Sequence, residues 1–159
     1  MEFYYIFSIL ISIFFAGNLT FHLYNIDKHK KLLNYLFKKD FIIIKNIESD
    51  IDTSSSKSIY NYQKNKTNVI FFNDHIFLLT KSKIFKIAQP ILQISRINND
   101  ENFSWIWEEI NYISMQNIDK KIRIKGFAKR GLVKIDYKII LDFNKTKFEL
   151  ENLNFTQNK

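Results

Sequence analysis

From Phe3 to Ile26 the chain runs for 24 positions without a charged side chain, and the residues that follow, Asp27 to Asp40, carry five lysines. About 20 apolar residues make a helix long enough to cross the ~30 Å hydrocarbon core of a bilayer, so the segment is long enough to span. An ordinary core helix is the poorer reading, because residues 41–159 offer too small a domain to cover so long an apolar surface. A secretory signal would open with cationic residues, whereas this sequence opens Met1, Glu2, Phe3, Tyr4, Tyr5; a retained anchor is therefore expected. Ala16 and Gly17 stand where a signal would be cut, which keeps a processed, exported domain as the alternative.

The apolar character is densest from Phe3 to Gly17 and is diluted by Asn18, Thr20, His22 and Asn25, so within the 1–26 anchor the span itself is expected to end near residue 21, with Phe21, Tyr24 and Tyr35 at the interface. Lys28, Lys30, Lys31, Lys38 and Lys39 oppose the acidic Glu2 before the span, which by the positive-inside tendency puts the amino terminus outside and the domain in the cytoplasm. Residues 27–40 are expected to form a second, short amphipathic helix capped by Asp27, with Leu32, Leu33, Leu36 and Phe37 on one face. That face has two possible destinations. It can lie on the membrane, its lysines against anionic headgroups, or pack on the domain.

Net charge is +8, yet lysine outnumbers arginine 21 to 3, and Phe, Ile, Lys, Asn and Tyr supply 89 of the 159 residues. Under such a bias lysine is the default surface residue, so the basic balance alone is weak evidence for nucleic acid, which is not expected as a partner. The absence of cysteine excludes a disulfide framework, thiolate catalysis and any cysteine-ligated metal.

From Phe41 the apolar period changes to two, with β-branched and aromatic residues dominating. The chain thus reads as mainly β: an anchor over 1–26, the amphipathic helix over 27–40, and a single antiparallel meander over 41–159, either a barrel or a small sandwich. Expected strands are Phe41–Ile47, Val69–Phe72 and Ile76–Thr80 about a hairpin at Asn73 and Asp74, Ile84–Ile87, Ile91–Ile94 after Pro90, Lys121–Phe127, Leu132–Phe143 and Phe148–Phe155. Glu48 to Ser58, rich in Asp and Ser, reads as a loop, and residues 103–113 fit strand and helix equally.

The hairpin from Val69 to Ile87, through Asn73 and Asp74 to Lys81, Ser82 and Lys83, resembles the early hairpins of bacterial PH-like and GRAM-like domains. The run Ser104, Trp105, Ile106, Trp107, Glu108, Glu109, Ile110, then Ile113, Met115, Ile122, Ile124, Lys125 and Gly126, is similar to their middle strands. The resemblance covers about half of the chain and implies a curved sheet of roughly seven strands closed by a carboxy-terminal helix, serving as a binding or scaffolding module. The sequence departs from that pattern at its end, where Phe148, Leu150, Leu153 and Phe155 look strand-like. It departs also at the first hairpin, where acidic residues and serines replace the basic residues that hold phosphoinositides.

Lys121, Arg123 and Lys125 alternate with Ile122 and Ile124, and Lys134 and Lys138 with Ile135, Tyr137 and Ile139, so one sheet face is expected to be basic, with Lys129 and Arg130 in the turn between. Such a face attracts phosphates, whether of anionic lipid headgroups or of nucleic acid, or simply meets solvent. Trp105 and Trp107 serve either as core anchors or as a contact for a protein partner. His22, His29 and His75 are isolated, Asp50 and Asp52 lack the central glycine of a calcium loop, and no nucleophile motif or phosphate loop occurs. No metal or other cofactor is expected, and the reading is a membrane-anchored, non-enzymatic binding module.

Overall fold

Neither proline nor glycine falls between Gly17 and Pro90, and one unbroken helix, α1 (Glu2–Leu36), occupies the region expected to hold two. In this computed structural model, which describes residues 2–55, 58–82, 86–95 and 108–150, Asp27 does not cap a new helix. It sits inside α1, its carboxylate 2.8 Å from the Lys31 ammonium one turn on.

The two halves of α1 have different surroundings. Phe3 to Phe21 stay open to the exterior, apart from partial cover at Asn18, and the helix is long and apolar enough to span a membrane. Polar side chains in this half are satisfied within the helix: Ser12 donates to the Ser8 carbonyl, Asn18 to Phe14 and Thr20 to Ala16, at 2.8–2.9 Å. Those bonds remove the main cost of carrying polar groups into lipid. Along the second half, His22, Asn25, His29, Leu32 and Leu36 recur at alternating intervals of three and four residues and lie along one covered stripe.

Seven strands follow, β1 (Ile42–Ser55), β2 (Ser58–Phe72), β3 (His75–Ser82), β4 (Leu92–Ser95), β5 (Glu108–Ile118), β6 (Lys121–Arg130) and β7 (Val133–Asp142), and they close into a barrel in chain order. All pairs are antiparallel except β4–β5, so the expected meander is interrupted by one parallel pair. Tight turns carry the required backbone: Asn73 has φ 48°, and Asp119 and Lys120 have φ 52° and 56°, the paired positive values of a type I′ hairpin. Glu48 to Ser55, expected as loop, is instead the second half of β1, paired to β2 and β7 through Ser55. A bulge between Ile44 and Ile47, with Asn46 at φ 60°, lets both isoleucines point inward.

Two cores result. The barrel interior holds Ile47, Ile51, Val69, Phe71, Leu78, Ile94, Ile110, Ile122, Ile139, Leu141 and Phe143. Outside the wall, Ile70, Phe72, Phe77, Leu79 and Ile91 pack beneath Leu32 and Leu36 of α1, with Leu33, Phe41 and Ile43 at the margin. Of the two destinations considered for the leucine face, the barrel is the one it takes; Phe37 alone of that face stays exposed.

This seam orients the barrel. His22 lies at Ala88, which bridges to Lys81 near the end of β3, whereas just past the end of α1 Lys39 lies over the ring of Phe72, 5.1 Å from its centre, and Phe72 pairs with His75 at the other end of that strand. α1 therefore runs from the Ser82 end of β3 toward its His75 end, and its exposed half projects beyond the Ser82 end. Residues 96–107 and 151–159, and with them the strand-or-helix choice at 103–107, Trp105, Trp107 and most of the expected last strand, lie outside the described residues, as does Ile84–Phe85 of the expected fourth strand. Phe148 and Glu149 are not in a strand.

Candidate functional site

Strict alternation in β6 and β7 turns Ile122, Ile124, Ala128, Tyr137, Ile139 and Leu141 into the barrel and leaves Lys121, Arg123, Lys125, Lys129, Lys134 and Lys138 on its outside. The register sets Lys125 opposite Lys138 and Lys129 opposite Lys134. Like charges face one another across the ladder, an arrangement that costs stability unless an anion lies between or nearby. Lys129 and Arg130 end β6 rather than forming the turn, which is Gly131 and Leu132.

Carboxylates temper part of this face. Lys121 lies 3.2 Å from Asp142, and Lys134 lies 2.9 Å from Asp136 on its own strand. Asp52 of β1 stands beside Lys138 in the β1–β7 register. Partial burial pushes the Asp142 carboxyl up, but the Asn144 N–H, the Lys121 ammonium and the Asn144 amide together hold it below the usual carboxylate range. Arg123, Lys125, Lys129 and Lys138 make no ion pair among the described residues.

Where β2, β1, β7 and β6 lie side by side, a groove of about 240 Å³ is lined by Glu48, Asp50 and Asp142 and by Lys66, Lys121 and Arg123, with Ser49, Asn65 and Ile140. Across the strands Glu48 and Asp142 face each other in the middle, with Lys66 and Lys121 on either side, and both carboxylates are engaged, Glu48 by Lys145 at 2.8 Å and Asp142 by Lys121. The volume falls short of the several hundred Å³ that enclose a small molecule. The groove is better described as a charged furrow in the barrel wall than as a reaction chamber.

A further set of polar groups joins α1 to the barrel. The Ala88 N–H donates to His22 Nδ1 at 2.8 Å, and His29 Nε2–H donates to the Gln89 carbonyl at 2.8 Å. Asn25, only 2% exposed, turns its amide back to the Phe21 carbonyl. Burial, with Lys81 and His22 nearby, holds the His29 imidazole below its ordinary value against the opposing pull of the Gln89 carbonyl. Read one at a time, these histidines are isolated; the heptad spacing they share with Leu32 and Leu36 is the signal that joins them. His75 is paired with Gln93 at 2.9 Å on the outer side of the wall, away from both.

No protein-family model and no solved structure matches the chain. Over 94 residues, 58% of its length, it is 32% identical to the DNA-directed RNA polymerase subunit beta'' of Marchantia polymorpha, of which the match spans 7%. Five residue types fill 89 of 159 positions here, and such a bias raises identity between any two chains that share it.

Proposed function

We propose that this chain is a single-pass, membrane-anchored, non-enzymatic β-barrel module, amino terminus outside and barrel in the cytoplasm, which binds at the membrane surface through the basic outer face of β6 and β7. One observation carries the reading: α1 is continuous from an exposed apolar half into a half built into the barrel's outer core. A helix of that kind holds the barrel at a fixed height and angle instead of leaving it on a flexible tether. The residues Phe3 to Phe21 rise about 28 Å at 1.5 Å each, the thickness of the hydrocarbon core. The PH-like reading belongs to this proposal as well; the closed ring of seven strands supports it, and the parallel β4–β5 pair departs from it.

The chain has no cysteine, so a single one introduced at Asn73, in the exposed turn far from the anchor, reports topology without background. Labelling by a membrane-impermeant maleimide is expected only after cells are permeabilised, with the protein resisting alkaline extraction from membranes. Labelling of intact cells would place the barrel outside and favour an exported envelope module with a structural or assembly role. Release at alkaline pH would remove the anchor itself.

A further inference from the structure

We infer that the β6–β7 hairpin tip is a second membrane contact: Leu132 enters the interface of the same bilayer that α1 enters, and the lysines behind it, Lys129 and Lys134, meet anionic lipid phosphates. The inference rests on the anchor reading and adds a lipid-binding site to it.

The geometry comes from the strand registers. α1 leaves the barrel at the Ser82 end of β3. Ser82 pairs with Asn65, Asn65 with Ser49, and β1 then continues six residues further to Ser55, which pairs with Ile135 at the base of the β6–β7 hairpin. Six residues of strand are about 20 Å at roughly 3.3 Å each. Strands of a closed barrel are tilted and staggered, and the other way round the ring Ile76 pairs with Ile94 and Ile94 with Ile110, beside the Asn111–Phe127 pair near the hairpin; the tip therefore stands close to the level at which α1 leaves the barrel, at the end from which its exposed half projects.

At its tip stands a side chain that the fold does not require. Gly131 has φ 58° and Leu132 has no positive φ, the pattern of a II′ turn, which demands glycine first and leaves the second position open to any residue. Leucine there is 106% exposed, more than any other large apolar side chain among the described residues, those of the span included. Lone exposed leucines are ordinary on a protein surface, but this one combines full exposure, a position at the anchor-side end and a basic collar. Lys129 is exposed with no ion pair among the described residues, and Lys134, opposite it, is exposed and shares its charge with Asp136. Lys81 and Lys86 are exposed at the same end. An apolar tip in the acyl boundary with ammonium groups a few ångströms behind it, at phosphate depth, is the pairing that holds peripheral segments on anionic bilayers.

The test uses the full chain in phosphatidylcholine vesicles with and without phosphatidylglycerol, carrying one environment-sensitive fluorophore on a cysteine at position 132, 14 or 73 (Leu132→Cys, Phe14→Cys, Asn73→Cys). Lipids bearing a nitroxide on the acyl chain quench any probe that reaches the membrane. Quenching at 14 and 132 several-fold stronger than at 73, with blue-shifted emission at 132, is the expected result. Lys129→Glu with Lys134→Glu should cut the quenching at 132 in phosphatidylglycerol vesicles and leave that at 14 unchanged. Quenching at 14 but not at 132 overturns the hairpin contact and leaves the anchor standing. Absence of quenching at both overturns the anchor, and the contact with it. Quenching at 132 that ignores both phosphatidylglycerol and the charge reversal overturns the headgroup role of the lysines.

Discussion

Leu36 is fully buried where α1 ends, in the cluster on the outside of the barrel wall that holds Phe72 and Phe77, so its side chain stabilises the seam and not the barrel interior. Leu36→Ala is expected to cost about 2–5 kcal/mol, expressed as opening of the helix end rather than collapse of the barrel. Trypsin cleavage at Lys38 and Lys39 should then accelerate at least tenfold, since ~1.4 kcal/mol is a factor of ten; an unchanged rate would remove Leu36 from the seam. His29 adds a pH dependence of known sign. An unfolded imidazole titrates near 6.5, and burial, with Lys81 and His22 beside it, lowers the folded value despite the Gln89 carbonyl. The folded state prefers neutral His29, so this contribution is complete above about pH 6.5 and is lost as pH falls from there through the lower folded value. His29→Gln keeps a donor for the Gln89 carbonyl and should flatten the fall in melting temperature on acidification; equal slopes for both proteins would discard the assignment.

At the level of strands, β6 meets β5 so closely that Gly126 is required by space and not by backbone angle. A Cβ there would sit 2.6 Å from the Asn111 carbonyl oxygen and 2.8 Å from Ile110 Cγ2. The first of these is backbone held in the β5–β6 ladder, beside the bulge between Tyr112 and Ser114, and cannot give cheaply. Gly126→Ala should cost about 1–3 kcal/mol and lower the melting temperature by several degrees per kcal/mol, while Gly17→Ala, with nothing near its Cβ position, should not. These strands were legible because Ile122, Ile124, Ile139 and Leu141 alternate with lysines and arginine, so pattern and burial agree. β1 was not, past Ile47, because its inward position 49 is a serine. Ser49 is buried and satisfied by the Thr67 hydroxyl at 2.5 Å, so a polar residue occupies a core position and the alternation Ile47, Ser49, Ile51 passes for a loop. The parallel β4–β5 pair leaves no trace in apolar period at all, since partner and direction are properties of the closed ring.

For the molecule as a whole, the division at about His22 matters more than the expected one at Asp27. An apolar count places the anchor's end where charge begins, but the helix does not respond to charge there; Asn18, His22 and Asn25, which dilute the span, are the start of the stripe that faces the barrel. A chain starting at His22 should lose the span, keep the seam, and remain soluble and monomeric without detergent. One starting at Phe41 loses Leu32 and Leu36, each contributing roughly 1.5–3 kcal/mol of burial, and uncovers Ile70, Phe72, Phe77, Leu79 and Ile91 on the barrel wall. The loss of about 3–6 kcal/mol is a large part of the ~5–15 kcal/mol that holds a domain of this size. Size-exclusion chromatography and thermal melting of the two proteins separate the cases: the shorter is expected to associate through the bared face or to melt many degrees lower. Equal solubility and equal melting would mean that the second half of α1 is tether and not wall, and a tethered barrel would no longer hold the Leu132 tip at a fixed depth in the bilayer interface.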